Sequence, residues 1–358
     1  MSQYSLYEKD IRYVAQLSLP WERLQNTTFL ISGASGLVGT FLVDVLMYQN
    51  QYFGLNCHIL ALGRNVEKAY KRFFAYWEDP LFSFLGVDIN QAHTMPDLQQ
   101  LDYILHAASN THPVQYATDP IGTITTNLLG TYNLLNLAVE AHAKKVIFSS
   151  SVEIYGESRA DTDLFTEDYC GYIDCNTLRA GYPESKRAGE SLCQAFIKQY
   201  GLDIVIPRLS RTYGPTMQLT DSKAIAQFIK KAVMRENIVL KSQGTQLYSY
   251  SYVADAVAGI LYCLFYGKTG EAYNIADTKS NISLRDLAQL LADIAHTKVV
   301  FEIPDAVETA GYSKATKAVL DSTKLQSLGW KAQYDMHEGL THTVHILGDI
   351  SRKGEFYR

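Results

Sequence analysis

Tyr182 and Lys186 are four residues apart in the stretch RAGYPESKRAGE, which begins at Arg179. In a helix this spacing places both side chains on one face. A phenol with a pKa of about 10 is a poor base at neutral pH, but a nearby ammonium group stabilises the phenolate. The pair therefore predicts a tyrosine base, although ordinary helix packing also produces this spacing often.

Ser151 and Glu153 form a second reactive pair, in the stretch SSSVEIYG that ends a predicted strand. Ligands bind at the carboxyl ends of parallel strands, so Ser151 is expected to orient a substrate hydroxyl group that Tyr182 deprotonates. Glu153 lies two residues further along and would face the same side of an extended chain. It is therefore a candidate second acid or base.

A glycine-rich turn, SGASGLVG, joins the first predicted strand to an apolar helix. Gly33 permits a tight turn, Gly36 lets a pyrophosphate approach the backbone, and Gly39 allows close packing of helix on strand. The helix N-terminus then faces the phosphates. The pattern predicts an NAD(P)-binding site. Its predicted contacts are Gly33, Ser35, Gly36, Leu37, Val38, Gly39, Arg64, Asp88, Ala107, Ala108 and Lys186.

The end of the second strand bears on the choice between NAD and NADP. An acid there binds the ribose 2′-hydroxyl group and repels a 2′-phosphate, but this strand ends in LGRN, without a carboxylate. Arg64 could pair with a phosphate, so NADP is mildly favoured; alternatively, Arg64 covers the adenine or is solvated. Asp88 is expected either to accept from the adenine amino group or to cap the next turn.

The elements that position these residues alternate between short β-branched runs and helical stretches from residue 28 to 210. The predicted strands are TFLIS, CHILALG, DYILHAA, KVIFSSS and DIVIPRL, with EAYNIAD returning to the same sheet. This alternation predicts an α/β fold with a Rossmann-type, doubly wound parallel sheet and a smaller C-terminal substrate-binding domain. The predicted division is an N-terminal helical arm (1–27), an NAD(P)-binding domain (28–210 with 250–277) and a substrate-binding domain (211–249 and 278–358).

Composition limits the partners. The 358 residues are 47% hydrophobic and 19% charged, carry a net charge of −5 and contain no sustained Lys/Arg run, so no nucleic-acid or anionic-membrane surface is expected. No apolar run approaches the roughly 20 residues that span a bilayer, and the N-terminus lacks a signal core. The five cysteines lack zinc spacing, so no metal is expected. We predict a cytoplasmic protein with a small-molecule ligand.

The motifs together resemble the extended short-chain dehydrogenase/reductase family of nucleotide-sugar epimerases, dehydratases and decarboxylases, from about residue 28 to 345. The matching stretches are ISGASGLVG, LHAAS, TTNLLGTYNLL, SSSVEIYG, GYPESK, RTYGP, YSYVADAV, EAYNIAD and LDSTKLQSLGW. Within the family, the stretches THPVQYATDPIGTITTNLLGT and DYCGYIDCNTLRAGYPESKRAGE look most like the UDP-glucuronate decarboxylase and dTDP-glucose 4,6-dehydratase branch.

This resemblance implies an NAD(P)-dependent enzyme that oxidises C4 of a nucleotide-linked sugar transiently and leads to epimerisation, dehydration or decarboxylation. Ser151, Tyr182 and Lys186 would form its catalytic triad, with Asn127 as a structural fourth member. Glu153 matches the glutamate that dehydratases and decarboxylases use. The helix with Tyr182 would pack with the helix at 121–143 in the four-helix interface of a homodimer.

Besides the missing acid in LGRN, three positions depart from the family pattern. Arg211 stands where the family usually has asparagine, Tyr248 where it has a pyrophosphate-binding arginine, and Val152 where dehydratases carry an aspartic acid and decarboxylases a serine. Either the phosphate-binding charge has moved to Arg211, or the diphosphate is held differently.

His112 and Arg179 join Arg211 and Tyr248 as predicted substrate contacts. His112 either donates to a sugar hydroxyl group or is an ordinary surface histidine. Arg179 either binds a carboxylate or phosphate or pairs with Glu153 or Glu184. The alternative function is NADPH-dependent reduction of a nucleotide-linked keto sugar or ketose, which Arg64 motivates. A third possibility is a dinucleotide-sensing or scaffold protein without catalysis.

Overall fold

The structure, a computed structural model, describes residues 5–91, 100–111, 113–218, 220–302 and 316–352. Over these residues the chain forms one large parallel sheet, a smaller mixed sheet and a two-stranded sheet, with helices packed around them. The predicted α/β fold class is therefore confirmed.

The described elements have the following bounds. The strands are β1 (Thr28–Ser32), β2 (His58–Gly63), β3 (Phe82–Gly86), β4 (Tyr103–His106), β5 (Lys145–Phe148), β6 (Ser150–Ser151), β7 (Ile204–Leu209), β8 (Arg211–Tyr213), β9 (Ile238–Leu240), β10 (Leu247–Tyr252), β11 (Ala272–Ile275), β12 (Asn281–Ser283), β13 (Val299–Phe301) and β14 (Lys317–Ala318). The helices are α1 (Leu6–Ala15), α2 (Leu37–Phe53), α3 (Val66–Arg72), α4 (Pro113–Thr118), α5 (Pro120–Glu140), α6 (Gly181–Tyr200), α7 (Ala224–Val233), α8 (Val253–Tyr266), α9 (Leu284–Ala295), α10 (Thr323–Gln326) and α11 (Met336–Arg352).

The large sheet has the strand order β11-β7-β5-β4-β1-β2-β3, with β6 also paired to β7, and its neighbouring strands are all parallel. The order reverses between β1 and β4, because the chain runs outward through β2 and β3 and then returns beside β1. In such sheets a crevice opens at the carboxyl ends of the strands at the reversal, and ligands bind there. The pairing of β11 with β7 agrees with the predicted return of EAYNIAD.

Both faces of this sheet are covered, as its apolar strands require. Along β1, Phe29 and Ile31 pack into a core that includes α2 and α8 residues, whereas Leu30 packs into the opposite core with Leu134 of α5 and Phe196 of α6. Strand side chains alternate between faces, so one short apolar run supplies both cores.

The two helices on the catalytic side have clear sequence boundaries. Asp119 begins α5 by accepting a hydrogen bond from Gly122 N at 3.0 Å, with Pro120 in the first turn. Gly201 ends α6 in a left-handed conformation (φ +71°), which glycine adopts without strain. The helices α5 and α6 pack side by side against the sheet, and α6 carries both Tyr182 and Lys186.

The smaller mixed sheet is centred on β10, which pairs with β12, β14 and β8. Helices α7, α9 and α11 pack together in this part of the chain, near the paired strands β9 and β13. Residues 250–252 belong to β10 in the smaller sheet, whereas β11 is a strand of the large sheet and α8 packs against that sheet. The predicted domain boundaries stay a prediction.

Helix α1 forms within the predicted N-terminal arm and is anchored to distant parts of the chain. The buried carboxylate of Asp10 accepts from Tyr252 Oη at 2.5 Å, Tyr334 Oη at 2.8 Å and His342 Nδ1 at 2.9 Å. Burying a carboxylate is unfavourable unless donors surround it. The three donors therefore hold α1 against β10 and α11. Among the described helices, none combines the length and apolar character needed to cross a membrane.

Candidate active site

A cavity of about 890 Å³ lies at the carboxyl edge of the large sheet and extends towards the smaller sheet. Most predicted site residues line it. Those that line it are Gly33, Ser35, Gly36, Leu37, Val38, Gly39, Arg64, Asp88, Ala107, Ala108, Ser151, Glu153, Arg179, Tyr182, Lys186, Arg211 and Tyr248. Asn127 lies behind the cavity wall. His112 falls outside the residues that the structure describes.

The glycine-rich turn is shaped for close approach to its neighbours. Gly33 has a φ of +72°, and a Cβ there would lie 2.7 Å from Ala108 N. A Cβ on Gly39 would lie 2.5 Å from Gly33 O, whereas one on Gly36 would meet only Gly33 O, at 3.1 Å. The turn thus leaves backbone exposed to the cavity at the N-terminus of α2, which is a geometry that binds phosphate.

The loop after β8 closes over this turn. Thr216 Oγ1 donates to Leu37 O at 2.7 Å, and Arg72 Nη2 donates to Thr216 O at 2.7 Å. Gln218 Nε2 donates to Ser35 O at 3.4 Å. These bonds connect the glycine-rich turn and α3 to the chain that leads into the smaller sheet, so the loop is a strap across one end of the cavity.

Arg64 and Asp88 both lie on the wall beyond β2 and β3. Arg64 is exposed at the end of β2, where a side chain can reach a ribose substituent. Asp88 Oδ1 accepts from Asn90 N at 3.0 Å, so Asp88 caps the turn, and it also lines the cavity. Both predicted roles of Arg64, pairing with a phosphate and covering the adenine or being solvated, stay predictions.

Tyr182 is buried beside Ser151. Burial raises the pKa of Tyr182 to about 12, opposed by a hydrogen bond with Ser151; Glu153 raises this pKa further, and Arg179 lowers it. The ring of Tyr116, from α4, stacks on the Tyr182 ring with centroids 5.1 Å apart. The phenol is therefore held rigidly but protonated in this state, and it needs additional positive charge nearby to act as a base at neutral pH.

Lys186 lies one turn further along α6. Its Nζ donates to Ser149 O at 2.8 Å and lies 4.9 Å from the centre of the Phe148 ring. Burial lowers the pKa of Lys186 to about 8. The predicted action of this ammonium group on a Tyr182 phenolate stays a prediction, because the charges that act on Tyr182 here are those of Glu153 and Arg179.

Asn127 joins three elements from behind the cavity. Its Nδ2 donates to Ser185 Oγ at 2.9 Å, and its Oδ1 accepts from Ser109 Oγ at 2.8 Å. The residue is fully buried on α5. Asn127 therefore fixes α6 relative to the loop after β4, and its contacts here are with protein side chains.

The expected extended conformation from Ser151 to Glu153 is wrong. Residues Val152–Tyr155 form a turn of 3-10 helix, and Ser151 Oγ caps it by accepting from Glu153 N at 3.2 Å. Serine competes for nearby backbone donors in this way at helix starts. Glu153 nevertheless reaches the cavity, because the turn swings its side chain inward.

Glu153 lies between two arginines. Arg179 Nη2 is 2.7 Å from Glu153 Oε2, and Arg211 Nη2 is 3.5 Å from Oε1. Burial favours the neutral acid, but the two guanidinium groups outweigh it and hold the pKa of Glu153 below its usual value. Of the alternatives for Arg179, the pairing with Glu153 is the one observed.

Arg179 and Arg211 each have at least one N–H donor that no described protein group accepts from. Arg179 Nε and Nη1 and Arg211 Nε are buried and have no hydrogen-bond partner among the described residues. Arg211 also lies over the Tyr248 ring at 3.7 Å from its centre. The positive charge of Arg211 thus occupies the space above the residue that replaces the family arginine.

Sequence reasoning missed Tyr116, Ser109, Ser149 and Ser185. Tyr116 stacks on Tyr182 and lies under the Arg179 guanidinium group at 4.8 Å. Ser185 also donates to Tyr182 O at 2.9 Å. A serine between Tyr182 and Lys186 on the predicted helix was a usable signal, but nothing in the stretch THPVQY indicates that its tyrosine reaches α6.

The cavity is electropositive although the chain is acidic. The basic residues among its described lining outnumber the acidic ones by seven to four, a difference of +3, against −5 for the whole chain. The basic residues are Arg64, Arg179, Lys186, Arg211, Lys223, Lys231 and Lys241, and the acidic ones are Asp88, Glu153, Asp221 and Glu302. Such a cleft concentrates anionic ligands.

A doubly wound sheet with a glycine-rich turn and a buried Ser-Tyr-Lys group defines a nicotinamide-dinucleotide enzyme of the short-chain type. The chain belongs to the NAD dependent epimerase/dehydratase family, whose sequence profile matches residues 29–276. The resemblance drawn from the motifs is thereby confirmed.

Among its relatives, the chain is 30% identical over 317 residues to UDP-glucuronic acid decarboxylase 3 of Arabidopsis thaliana, covering 88% of this chain and 87% of that protein. It is 29% identical to UDP-glucuronic acid decarboxylase 1 of Xenopus tropicalis, covering 88% and 71%. The fold is similar to UDP-glucuronic acid 4-epimerase from Bacillus cereus in complex with UDP-glucuronic acid and NAD, with a TM-score of 0.76, 20% identity and coverage of 90% and 100%. It is also similar to dTDP-glucose 4,6-dehydratase from Streptomyces venezuelae, with a TM-score of 0.75, 24% identity and coverage of 89% and 96%.

Proposed function

We propose that this enzyme transiently oxidises C4 of a nucleotide-linked sugar and then changes the sugar at C5. The observation that carries the proposal is the buried pair of Ser151 and Tyr182 between a phosphate-binding turn and the Arg179–Glu153–Arg211 group. An electropositive cavity suits both a dinucleotide and a nucleotide diphosphate. The decarboxylase and epimerase names of the relatives support this substrate class.

The described residues fit a nicotinamide dinucleotide. The space that a Cβ on Gly33 would fill is taken by Ala108, and the backbone of the turn faces the cavity. The residues of this turn would hold the pyrophosphate, and Lys186 would face the nicotinamide ribose. When bound there, the cofactor supplies the hydride acceptor and a positively charged ring.

The chain supplies the proton chemistry. Ser151 orients the sugar C4 hydroxyl group, and Tyr182, once ionised, takes its proton as the C4–H bond breaks. The 4-keto sugar that results has an acidified C5. Ser151 can then donate to the new ketone oxygen, and Tyr182 returns its proton when the ketone is reduced again.

Decarboxylation is the C5 reaction that this site supports best. A uronate at C5 loses CO₂ when the C5–carboxylate bond breaks and its electron pair moves towards the C4 ketone, after which C5 gains a proton. This needs no base at C5. Glu153 is a weak base because two arginines hold it, whereas Arg179 has buried donors suited to a carboxylate.

The test is turnover of UDP-glucuronic acid with NAD. We expect release of CO₂ and transient absorbance at 340 nm in the wild type. Tyr182→Phe removes the group that takes the proton, so it should lose both signals by at least about a hundredfold while still binding NAD in a fluorescence titration. Turnover by Tyr182→Phe at the wild-type rate would rule out the proposal.

A second candidate is NADPH-dependent reduction of a nucleotide-linked keto sugar or ketose. It is favoured by the exposed Arg64 at the end of β2, where no carboxylate follows. In that reaction Tyr182 donates the proton. Mass spectrometry of nucleotides from acid-quenched protein separates the two functions: retained NAD(H) supports transient oxidation, whereas protein that arrives empty and prefers NADPH supports reduction.

We also propose a homodimer that forms through α5 and α6. Ile121, Leu129 and Tyr132 on α5 are 75%, 49% and 49% exposed, which leaves a row of apolar side chains on a helix beside the site. Light scattering should give twice the chain mass, and Leu129→Glu should shift it towards the monomer. A monomeric wild type would contradict the proposal.

A further inference from the structure

The three residues Ser149, Ser150 and Ser151 are all fastened to one face of α6. Lys186 donates to Ser149 O, Tyr182 bonds with Ser151, and Glu190 accepts from Ser150 Oγ at 2.5 Å. The three α6 residues are spaced by four, which keeps them on one face of the helix. The bond between Ser150 and Glu190 is thus the third contact between this segment and α6, and Glu190 has no role in the reaction proposed above.

We propose that Ser150 and Glu190 are positioning residues, which set the distance between the hydroxyl groups of Ser151 and Tyr182. Ser150 is the direct chain neighbour of Ser151 in β6, and the backbone between them has little freedom because β6 pairs with β7. The hydrogen bond from Ser150 to Glu190 therefore also restricts the position of Ser151. Ser150 is 2% exposed, so its hydroxyl group depends on a protein partner, and Glu190 is that partner.

Arg208 holds the Glu190 carboxylate in place. Arg208 lies opposite Ser150 in the β6–β7 register and binds the Glu190 carboxylate with two nitrogens, Nε at 3.0 Å and Nη2 at 2.6 Å. Such bidentate pairs restrict both distance and angle. The carboxylate is thus held from the strand side, and α6 cannot shift along β6 without breaking it.

The same arginine extends the support to the turn that carries Glu153. Arg208 Nη1 donates to Tyr155 Oη at 2.9 Å, and Tyr155 Oη donates to Asn274 Oδ1 at 2.7 Å. Tyr155 ends the 3-10 turn that begins after Ser151. Both ends of the segment with Ser151 and Glu153 are therefore anchored through Arg208, one through Glu190 and the other through Tyr155.

The test compares Ser150→Ala with a matched control, Ser280→Ala. Ser280 is also 2% exposed and donates to a carboxylate, Asp277 Oδ2, at 3.2 Å, but does not line the cavity. With UDP-glucuronic acid and NAD, Ser150→Ala should lower kcat by about tenfold or more, since small misplacements at the reacting centre have such effects, with KM within about twofold. Ser280→Ala should leave kcat within about twofold.

Ser150→Thr should restore most of kcat because it keeps the hydroxyl group. Equal kcat values for Ser150→Ala and the wild type would overturn the inference, and so would a folded Ser150→Thr as slow as Ser150→Ala. If Ser150→Ala does not fold, Glu190→Asp replaces it: this keeps the charge beside Arg208 but withdraws the carboxylate from Ser150, and an unchanged kcat overturns the inference.

The inference rests on the proposed function, and hydrogen exchange separates the two failures. If the wild type turns over neither UDP-glucuronic acid nor another UDP-sugar, the proposed function fails. In that case the effect of the Ser150–Glu190 hydrogen bond on the segment is tested by amide hydrogen exchange of residues 149–156. Faster exchange in Ser150→Ala than in Ser280→Ala supports it, and equal exchange overturns it.

Discussion

Replacing Glu153 with glutamine tests whether this residue is an anchor for the arginines or a proton acceptor. The substitution keeps the side-chain size but removes the charge between Arg179 and Arg211, which lie 2.7 and 3.5 Å away. The two guanidinium groups then face each other without a counter-charge. The three side chains are 17%, 15% and 22% exposed, so solvent screens part of the loss.

We expect Glu153→Gln to lower the free energy of unfolding by about 2 kcal/mol, below the roughly 3–5 kcal/mol for breaking a fully buried pair. With an unfolding entropy of about 2.1 cal/mol/K per residue over 358 residues, this corresponds to a Tm lower by about 3 °C. The pKa of Glu153 is lowered in the folded protein, so its stabilisation is present above the unfolded pKa of about 4.3 and is lost as pH falls through the folded value. The Tm difference should be full at pH 7 and should narrow below about pH 4.

The assays are differential scanning fluorimetry between pH 3.5 and 7 and turnover of UDP-glucuronic acid. As an anchor, Glu153 should leave kcat within about tenfold of the wild type, whereas loss of a general base reduces rates by about 10²–10⁴. Glu184→Gln is the control, since its carboxylate pairs with Arg187 at 3.3 Å and is 39% exposed, which predicts a Tm change of at most about 1 °C. An unchanged Tm together with a thousandfold loss of kcat would refute the anchor interpretation.

Three further substitutions test other parts of the site. Lys186→Met removes an ammonium group whose pKa burial lowers to about 8. The charged Lys186 destabilises the folded protein fully below the folded pKa of about 8, and this effect disappears as pH rises to the unfolded pKa of about 10.4. The Tm of Lys186→Met should therefore exceed that of the wild type at pH 7 and equal it above about pH 10. The variant should also lose activity. Arg64→Ala should weaken NADPH binding by about tenfold or more while changing NADH binding less than threefold, as measured by calorimetry; equal losses would show that Arg64 does not select a phosphate. Thr216→Val removes the bond to Leu37 O and should speed NAD release several-fold in stopped-flow fluorescence, and an unchanged rate would show that the strap does not limit release.

Local patterns were sufficient to predict most strands of the large sheet and the glycine-rich turn after β1. The strands β1, β4 and β5 have apolar central residues and are almost entirely buried, and this apolar character makes them recognisable in the sequence. The strand β3 was missed because FSFLG contains no β-branched residue and lies half-exposed at the sheet edge. Its pairing with β2 depends on the neighbouring strand rather than on its own sequence.

The contacts that define the reaction were harder to predict because they join distant segments. A period-two pattern placed Glu153 beside Ser151, but the Ser151 hydroxyl group started a turn instead. One of the two interpretations of Arg211 assigned its charge to the diphosphate, but the pairing of Arg211 with Glu153, 58 residues away in the sequence, was not predicted. Neither spacing nor composition indicates such a pairing, since Arg211 and Glu153 lie on separate elements, β8 and the 3-10 turn after β6, that only the tertiary fold brings together.

The burial of Asp10 has a consequence for how the chain is made. Its partner His342 lies 332 residues later, so at about 5–20 residues per second the ribosome delivers it roughly 17–66 s after Asp10. During that interval α1 can already pack on α2, but the Asp10 carboxylate lacks its full set of three donors until Tyr334 and His342 follow Tyr252. Helix α1 can therefore dock in two stages, first on α2 and later through Asp10 on β10 and α11, and the second stage follows the synthesis of α11.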